Sequence, residues 1–352
     1  MNTPPLAGRG AAPAGAGLFR VVPAHRGLAL AALLILAAPS VPSPQTQAQV
    51  EIVATGLLRP LQLVWDGRGL IVLSYSARGD SAGELHRLPG ESAGPVDLTR
   101  HPATRIPFRG ADGTTLGSLA RDPESGALFV GEENGTRVWR LGADERLTLY
   151  VTGLRRLSGG GTITFDRAGR LVLLDYADPY VSRPEERLPP GLEQLRIEED
   201  YLGPMIFRLT LDTSVGLPRR LEHVPSLYPR GWGKRTGSSH LPQFTSVTAL
   251  PNGDLLLLAS SGVLYRLGAD GGPTVFARLP HGQYTRTHLA TSADGTVYVS
   301  GGFHVGQVFR VSRDGAVETL ASDLADPEGI AVDGRGAVYV AESSLHRIVR
   351  LR

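Results

Sequence analysis

Cysteine is absent from the 352 residues. That excludes disulfides, thiolate metal sites, a cysteine nucleophile and lipid attachment through a thiol. The fold must therefore be held by burial, which a chain of 352 residues can supply. Lysine is almost missing as well: Lys234 is the only one, and arginine supplies the remaining positive charge. No basic run occurs, and nucleic acid requires a clustered basic face, so no nucleic-acid partner is expected. Long apolar stretches are also scarce. The main one, Gly27–Ala38 (GLALAALLILAA), is too short at about 1.5 Å per residue to cross a hydrocarbon core of about 30 Å.

That apolar run sits in a distinctive setting. Arg9, Arg20 and Arg26 precede it, and a Pro/Ser/Gln-rich stretch ending Thr46-Gln47-Ala48 follows. A basic start, a short apolar core and small residues before a cleavage point predict a secretory signal over 1–48, cut after Ala48. The protein is then expected outside the cytoplasm, periplasmic or extracellular, with no stable membrane insertion. The segment holds three of the 36 basic residues and none of the 34 acidic ones, so the remainder carries 33 against 34 and the formal net charge moves from +2 to −1.

What the chain does contain is a repeat. An apolar segment, a polar turn with glycine and a second apolar strand recur as LQLVWDGRGLIVLSY, GSLARDPESGALFVGEE, TITFDRAGRLVLLDY, TSVTALPNGDLLLLAS, THLATSADGTVYVSGG and GIAVDGRGAVYVAES. Their turn glycines, Gly69, Gly126, Gly169, Gly253, Gly295 and Gly336, lie 57, 43, 84, 42 and 41 residues apart. Self-similarity near 42 residues, with several short strands per unit, indicates an all-β fold, a β-propeller. With strands lettered A to D outward from the axis, C copies run from GELHRL to LHRIVRL. D copies are PVDLT, LTLYVTGL, RRLEHV, PTVFARL and AVETLASDL. The 84-residue gap holds one C and one D strand, so six blades are expected rather than seven. The sixth unit lacks a D copy, whereas EIVATGL (Glu51–Leu57) matches TLYVTGL (Thr148–Leu154). This N-terminal strand is predicted to complete the last blade and close a single domain over 49–352. Closure removes the exposed edges an open ring would carry.

The stretch DPEGIAVDGRGAVYVAESSLHRIVRL (Asp326–Leu351) resembles NHL repeats, and the whole layout resembles the TolB-like six-bladed superfamily, with distant similarity to the gluconolactonase (senescence marker protein)-like family. Three long connections, 100–116, 177–203 and 226–243, are predicted on one face, where A strands begin at the channel mouth; long loops there often wall a ligand. Resemblance to propeller lactonases implies a divalent cation held at that mouth by Glu, Asn and Asp side chains from several A strands. The equivalent positions here read Leu61, Gly117, Gly161, Thr245, Thr287 and Glu328, followed by Gln62, Ser118, Thr162, Ser246, His288 and Gly329. One carboxylate is too few for such a cage, so no metal or cofactor is expected unless Asp178, Glu198, Glu199 or Asp200 of the inserts complete it. SGGGTITFDRAGRLVLLDYADP (Ser158–Pro179) resembles a stretch of quinone-dependent sugar dehydrogenases, but Leu157 and Ser158 stand where that family sets a histidine. HRIVRL alone is similar to the streptogramin lyases.

The residues expected at the mouth are Glu328 and His288, from neighbouring blades, as an acid–base or metal pair. Tyr284, Arg286 and Arg155 are expected to orient an anionic or sugar ligand, with His304 and His240 on mouth-side segments. Asp175, Glu132 and Glu342 end B strands, where a carboxylate accepts backbone N–H groups of the following turn. The functional expectation is an exported monomeric propeller that binds a small-molecule, sugar or protein ligand at the insert-bearing mouth. A gluconolactonase-like hydrolase and a quinone-dependent oxidoreductase are the enzyme alternatives.

Overall fold

The computed structural model describes residues 48–76, 82–90, 94–101, 104–111, 113–157, 159–175, 204–212, 216–221, 224, 226–228, 243–268 and 272–352. They form six sheets, each one blade of a β-propeller and antiparallel apart from two short outer pairings. The A strands are Pro60–Trp65, Leu116–Arg121, Ile163–Phe165, Phe244–Ala249, Leu289–Thr291 and Pro327–Val332, and each touches the next around the axis, the last touching the first. No helix among the described residues is long and apolar enough to cross a membrane.

Why the blades pack follows from their B strands. Leu171–Asp175 and Leu255–Ala259 are buried at every position. Both faces of a blade are covered, so such strands read as continuous apolar runs instead of alternating. In blade three, Leu171 and Leu173 join the cluster shared with blade two, while Val172 and Leu174 join the one shared with blade four. Six hydrophobic clusters result, one at each blade–blade interface. The hydrophobic core is thus a ring of six wedges.

The ring closes as the repeat predicts. Val50–Thr55 pairs antiparallel with Arg347–Leu351 from Val50↔Leu351 to Thr55↔Arg347, with a one-residue shift of register between Ile52 and Ala54. Its Ala54 and the following Leu57 are buried between blades six and one. Glu51 takes Arg350 Nη2 at 2.7 Å and Arg352 Nε at 2.9 Å.

Two D strands differ from expectation. The segment PVDLT does not finish blade one: Val96–Asp97 lies parallel beside Val50–Thr55, on the outer edge of blade six. Blade one's fourth strand is Arg105–Ile106, inside the connection 100–116. Likewise Arg219–Arg220 pairs parallel with Leu147–Thr152 of blade two, and Ser226–Tyr228 completes blade three. In both cases the chain leaving strand C first satisfies the open edge of the preceding blade, where unpaired backbone groups are available. The connections 100–116 and 226–243 are therefore partly blade. In blade one the left-handed turn glycine is Gly67 (φ 92), not Gly69, which starts strand B.

Candidate functional site

Adjacent strands alternate direction, so D→A links and B→C turns gather on one face. Two of those links place an arginine in the left-handed region, Arg59 at φ 45 and Arg286 at φ 56. That conformation is costly for a non-glycine residue, and it persists only where surrounding contacts hold it.

Those contacts form one network across the mouth. Arg286 Nη1 meets Glu133 Oε1 at 2.7 Å, and its Nε donates to Glu328 Oε2 at 3.0 Å. Its Nη2 donates to the Tyr75 hydroxyl at 3.0 Å, and that hydroxyl donates to Glu133 Oε2 at 2.7 Å. Arg59 Nη2 lies 3.6 Å from Glu328 Oε1, with its guanidinium 5.5 Å from the Tyr75 ring centroid. Tyr75 and Glu133 follow the B strands of blades one and two, Glu328 sits in the A strand of blade six, and the two arginines precede the A strands of blades one and five. Two guanidiniums and two carboxylates from different blades thus interlock at one end of the axis.

Burial sets the electrostatics. It pushes the Glu328 carboxyl above the ordinary carboxylate range, against the pull of Arg286 and Arg59. Burial also opposes the Arg286 charge, but Glu328 and Glu133 outweigh it, so the guanidinium holds its proton more tightly than usual. Burial raises the Tyr75 hydroxyl despite Arg286. A hard divalent cation needs several oxygen ligands around one point. Here the two converging carboxylates are already bridged by a guanidinium, and among the described residues no group of three or more His, Asp and Glu could hold a metal.

The glycine run of SGGGT has a packing role. A side chain at Gly160 (φ +119) would begin 2.7 Å from the Thr287 carbonyl oxygen, and one at Gly159 would begin 3.3 Å from Glu133 Oε1. The run lets blade three's entry pass against Arg286 and Thr287.

The expected mouth residues divide. Arg286 and Glu328 are at the centre of the network. His288 is not paired with Glu328: its Nδ1 accepts the Ile330 N–H at 3.3 Å, and its ring lines a cavity toward the opposite face, bounded by the far ends of the A strands. Burial pulls its pKa down to about 4. Tyr284 is core, packed on Phe309, with its hydroxyl donating to Pro280 O at 2.8 Å. Burial pushes that hydroxyl up to about 12. Arg155 is fully buried and pairs with Asp175 at 3.2 Å, where Asp175 Oδ1 also accepts the Arg155 and Arg156 N–H groups at 3.0 and 3.1 Å. Burial raises Asp175 while Arg155 pulls it back. Glu132 and Glu342 likewise accept backbone N–H groups, from Thr136 and Ala325. His304 is exposed beside Phe303. His240 and the acids Asp178, Glu198, Glu199 and Asp200 lie outside the described residues.

Arg59, Tyr75 and Glu133 were not anticipated. The signal for Tyr75 and Glu133 was the residue directly after strand B. Glu132 turns its carboxylate to the turn backbone, and side chains alternate along a strand, so Glu133 turns the other way, to the axis.

No family model matches the chain, and no curated protein matches it. Solved structures do. A carbohydrate-active enzyme of family AA12 from Trichoderma reesei is similar at 15% identity, with 87% of this chain and 96% of that chain covered and a TM-score of 0.58. A gluconolactonase from Xanthomonas campestris is similar at 14% identity, covering 86% and 89%, with a TM-score of 0.56. Virginiamycin B lyase from Staphylococcus aureus is similar at 13% identity, covering 87% and 99%, with a TM-score of 0.51. At these identities the likeness is one of fold, and it places the chain's architecture with the gluconolactonase-like and virginiamycin B lyase six-bladed propellers.

Proposed function

We propose that this protein is an exported propeller that binds a neutral sugar or related polyol at the mouth formed by Arg59, Tyr75, Glu133, Arg286 and Glu328, without a resident metal. The observation that carries the reading is the charge-balanced network itself. A sugar hydroxyl both donates and accepts, so it fits between a guanidinium and a carboxylate that already stand side by side. An ion of either sign would instead unbalance a partly buried cluster. Arg59 supports the same reading, because its side chain is 36% exposed and its Nη2 stands 3.6 Å from Glu328 Oε1, longer than a direct hydrogen bond. The basic start and short apolar run within residues 1–48 read as a leader and support export.

Calorimetric titration of the purified protein with a panel of aldoses, alditols and aldonolactones tests this. We expect binding of at least one neutral polyol, weakened about ten-fold or more by Arg59→Ala, since charge-assisted hydrogen bonds are the strong ones. Absence of binding across the panel would refute it. Lactone hydrolysis is the second reading, motivated by the two carboxylates at the mouth, Glu133 and Glu328. Aldonolactone turnover stimulated by added calcium, zinc or manganese would favour that reading over simple binding.

A further inference from the structure

We propose a second ligand site on the opposite face of the ring, one that takes a small organic acid with its carboxylate at the rim and a neutral oxygen acceptor at the floor. The site is a cavity of about 590 Å3, a size typical of small-molecule sites, bounded by the far halves of all six A strands and the turns after them. Its bore stays open because one position of each A strand is small: Val64, Ala120, Thr164, Thr248, Ala290 and Ala331. The large aliphatic residues just before them, such as Leu63 and Ile330, are buried.

The floor is polar and under-used. His288 accepts the Ile330 N–H through Nδ1, which leaves the proton of the neutral ring on Nε2. That Nε2–H has no partner among the described residues. Next to the lining residue Leu63, and not itself part of the lining, Gln62 is 0% exposed, yet neither its Oε1 nor its Nε2 has a hydrogen-bond partner among the described residues. Between them in the ring stands Gly329, where a side chain would begin 2.8 Å from the Leu61 carbonyl oxygen and 2.9 Å from Gln62 Cα, so blades six and one pass in close contact there. Buried polar groups are almost always satisfied, by protein, water or ligand. The neutral His288 donor at this depth suits a carbonyl or hydroxyl oxygen.

The rim is positive. Arg121 and Arg167 line it, and neither has an ion pair among the described residues. The aspartates of the same turns are already committed: Asp66 and Asp122 to backbone N–H groups, Asp166 to Arg170 and Arg208, Asp333 to the N–H groups of Arg335 and Ala337. An entering carboxylate therefore meets guanidinium without carboxylate competition. Three residues of strand separate the His288 level from the Arg121 level, about 10 Å at about 3.3 Å per residue. That depth fits a medium-chain acid carrying oxygen at its far end. The site is separate from the mouth network, and the inference does not rest on the sugar reading.

The probe is 8-hydroxyoctanoate, with octanoate and 1,8-octanediol as controls, followed by calorimetry and by the 15N resonance of His288 Nε2. We expect the hydroxy acid to bind more tightly than either control and to shift the Nε2 resonance. Arg121→Ala with Arg167→Ala should weaken it about ten-fold or more and leave sugar binding at the mouth unchanged. His288→Asn should remove the preference over octanoate, and because the rim variant leaves the core untouched, it keeps the test open if His288→Asn does not fold. No binding at millimolar probe, a silent His288 resonance, or undiminished affinity in the rim variant would overturn the proposal.

Discussion

Arg286→Met is the perturbation that most directly probes the mouth. It removes two ion pairs and a hydrogen bond while keeping comparable bulk. The cost falls mainly on Glu328, whose side chain is 1% exposed and would keep only Arg59 at 3.6 Å. Stripping one partner from a buried pair typically costs about 3–5 kcal/mol. The Arg286 side chain is 23% exposed and Arg59 remains, so the cost falls at or just below the lower end, about 2–3 kcal/mol. Left-handed strain at this position is unchanged, because methionine carries the same Cβ.

Urea unfolding measures this difference, and two further results identify its source. Adding Glu328→Gln to the Arg286→Met variant removes the orphaned charge and should restore half or more of the loss. The pH dependence should also change in a defined sense. The folded pKa of Glu328 lies above its ordinary value, so the folded state binds more protons than the unfolded one between the two values. Its contribution to stability is then greatest below the ordinary carboxylate value and is lost as pH rises through the raised one. Without Arg286 the raised value climbs further, so the single variant should lose stability up to a higher pH than wild type. If Arg286→Met unfolds within about 0.5 kcal/mol of wild type at neutral pH, a cost typical of an exposed pair, the network is not an energetic unit. The same conclusion follows if the double variant is no better than the single one.

Three other perturbations test the rest of the structure. Ala54→Asp places an unpaired charge between blades six and one, where Ala54 is fully buried, and should cost roughly 3 kcal/mol or more in urea unfolding; a loss under about 1 kcal/mol would contradict closure by Val50–Thr55. His288 has a folded pKa lowered to about 4, so the unfolded state binds more protons below its ordinary value. Its contribution is present above about pH 6.5 and fades as pH falls toward 4, so the melting temperature of wild type relative to His288→Phe should drop across that window, and a flat difference would place the ring in water. Gln62→Met replaces a buried amide that lacks partners among the described residues by a side chain of similar volume and should stabilise by about 1–2 kcal/mol; a destabilisation would show that the amide has a partner in solution.

The ring was legible in the sequence because its rules are local and repeated. A polar turn with glycine between two apolar strands recurs six times, and a B strand covered on both faces must be apolar throughout, as LVLLD and LLLLA nearly are. The closing strand was readable for the same reason: EIVATGL copies TLYVTGL. PVDLT and RRLEHV went astray because a two-residue pairing at an outer edge leaves no period behind it, and any short extended segment serves equally well. The partial reading of the mouth has a different cause. Glu328 lies in an aligned position at the entry to an A strand, where comparison between blades singles it out, and Arg286 directly precedes the equivalent Thr287. Arg59, Tyr75 and Glu133 matter only because 211 residues of chain bring Tyr75 to Arg286, and no spacing rule encodes that approach.

His288 shows how far alignment can carry and where it stops. Alignment put it at the entry to the blade-five A strand, and it stands directly before Leu289–Thr291. What the sequence did not indicate was which end of the bore its ring would serve. The Ile330 N–H settles that, by tying Nδ1 to the far half of the neighbouring A strand and turning Nε2 away from Glu328. Glu328 in turn is held at the near end by Arg286. Two residues one blade apart and one strand position out of step therefore belong to opposite faces. The polar ring of Gln62, Ser118, Thr162, Ser246 and His288 lies along the bore between those faces. A ligand at either end meets a wall built from the other end's supports, so substitutions at the mouth and at the far rim should act independently unless they move this ring.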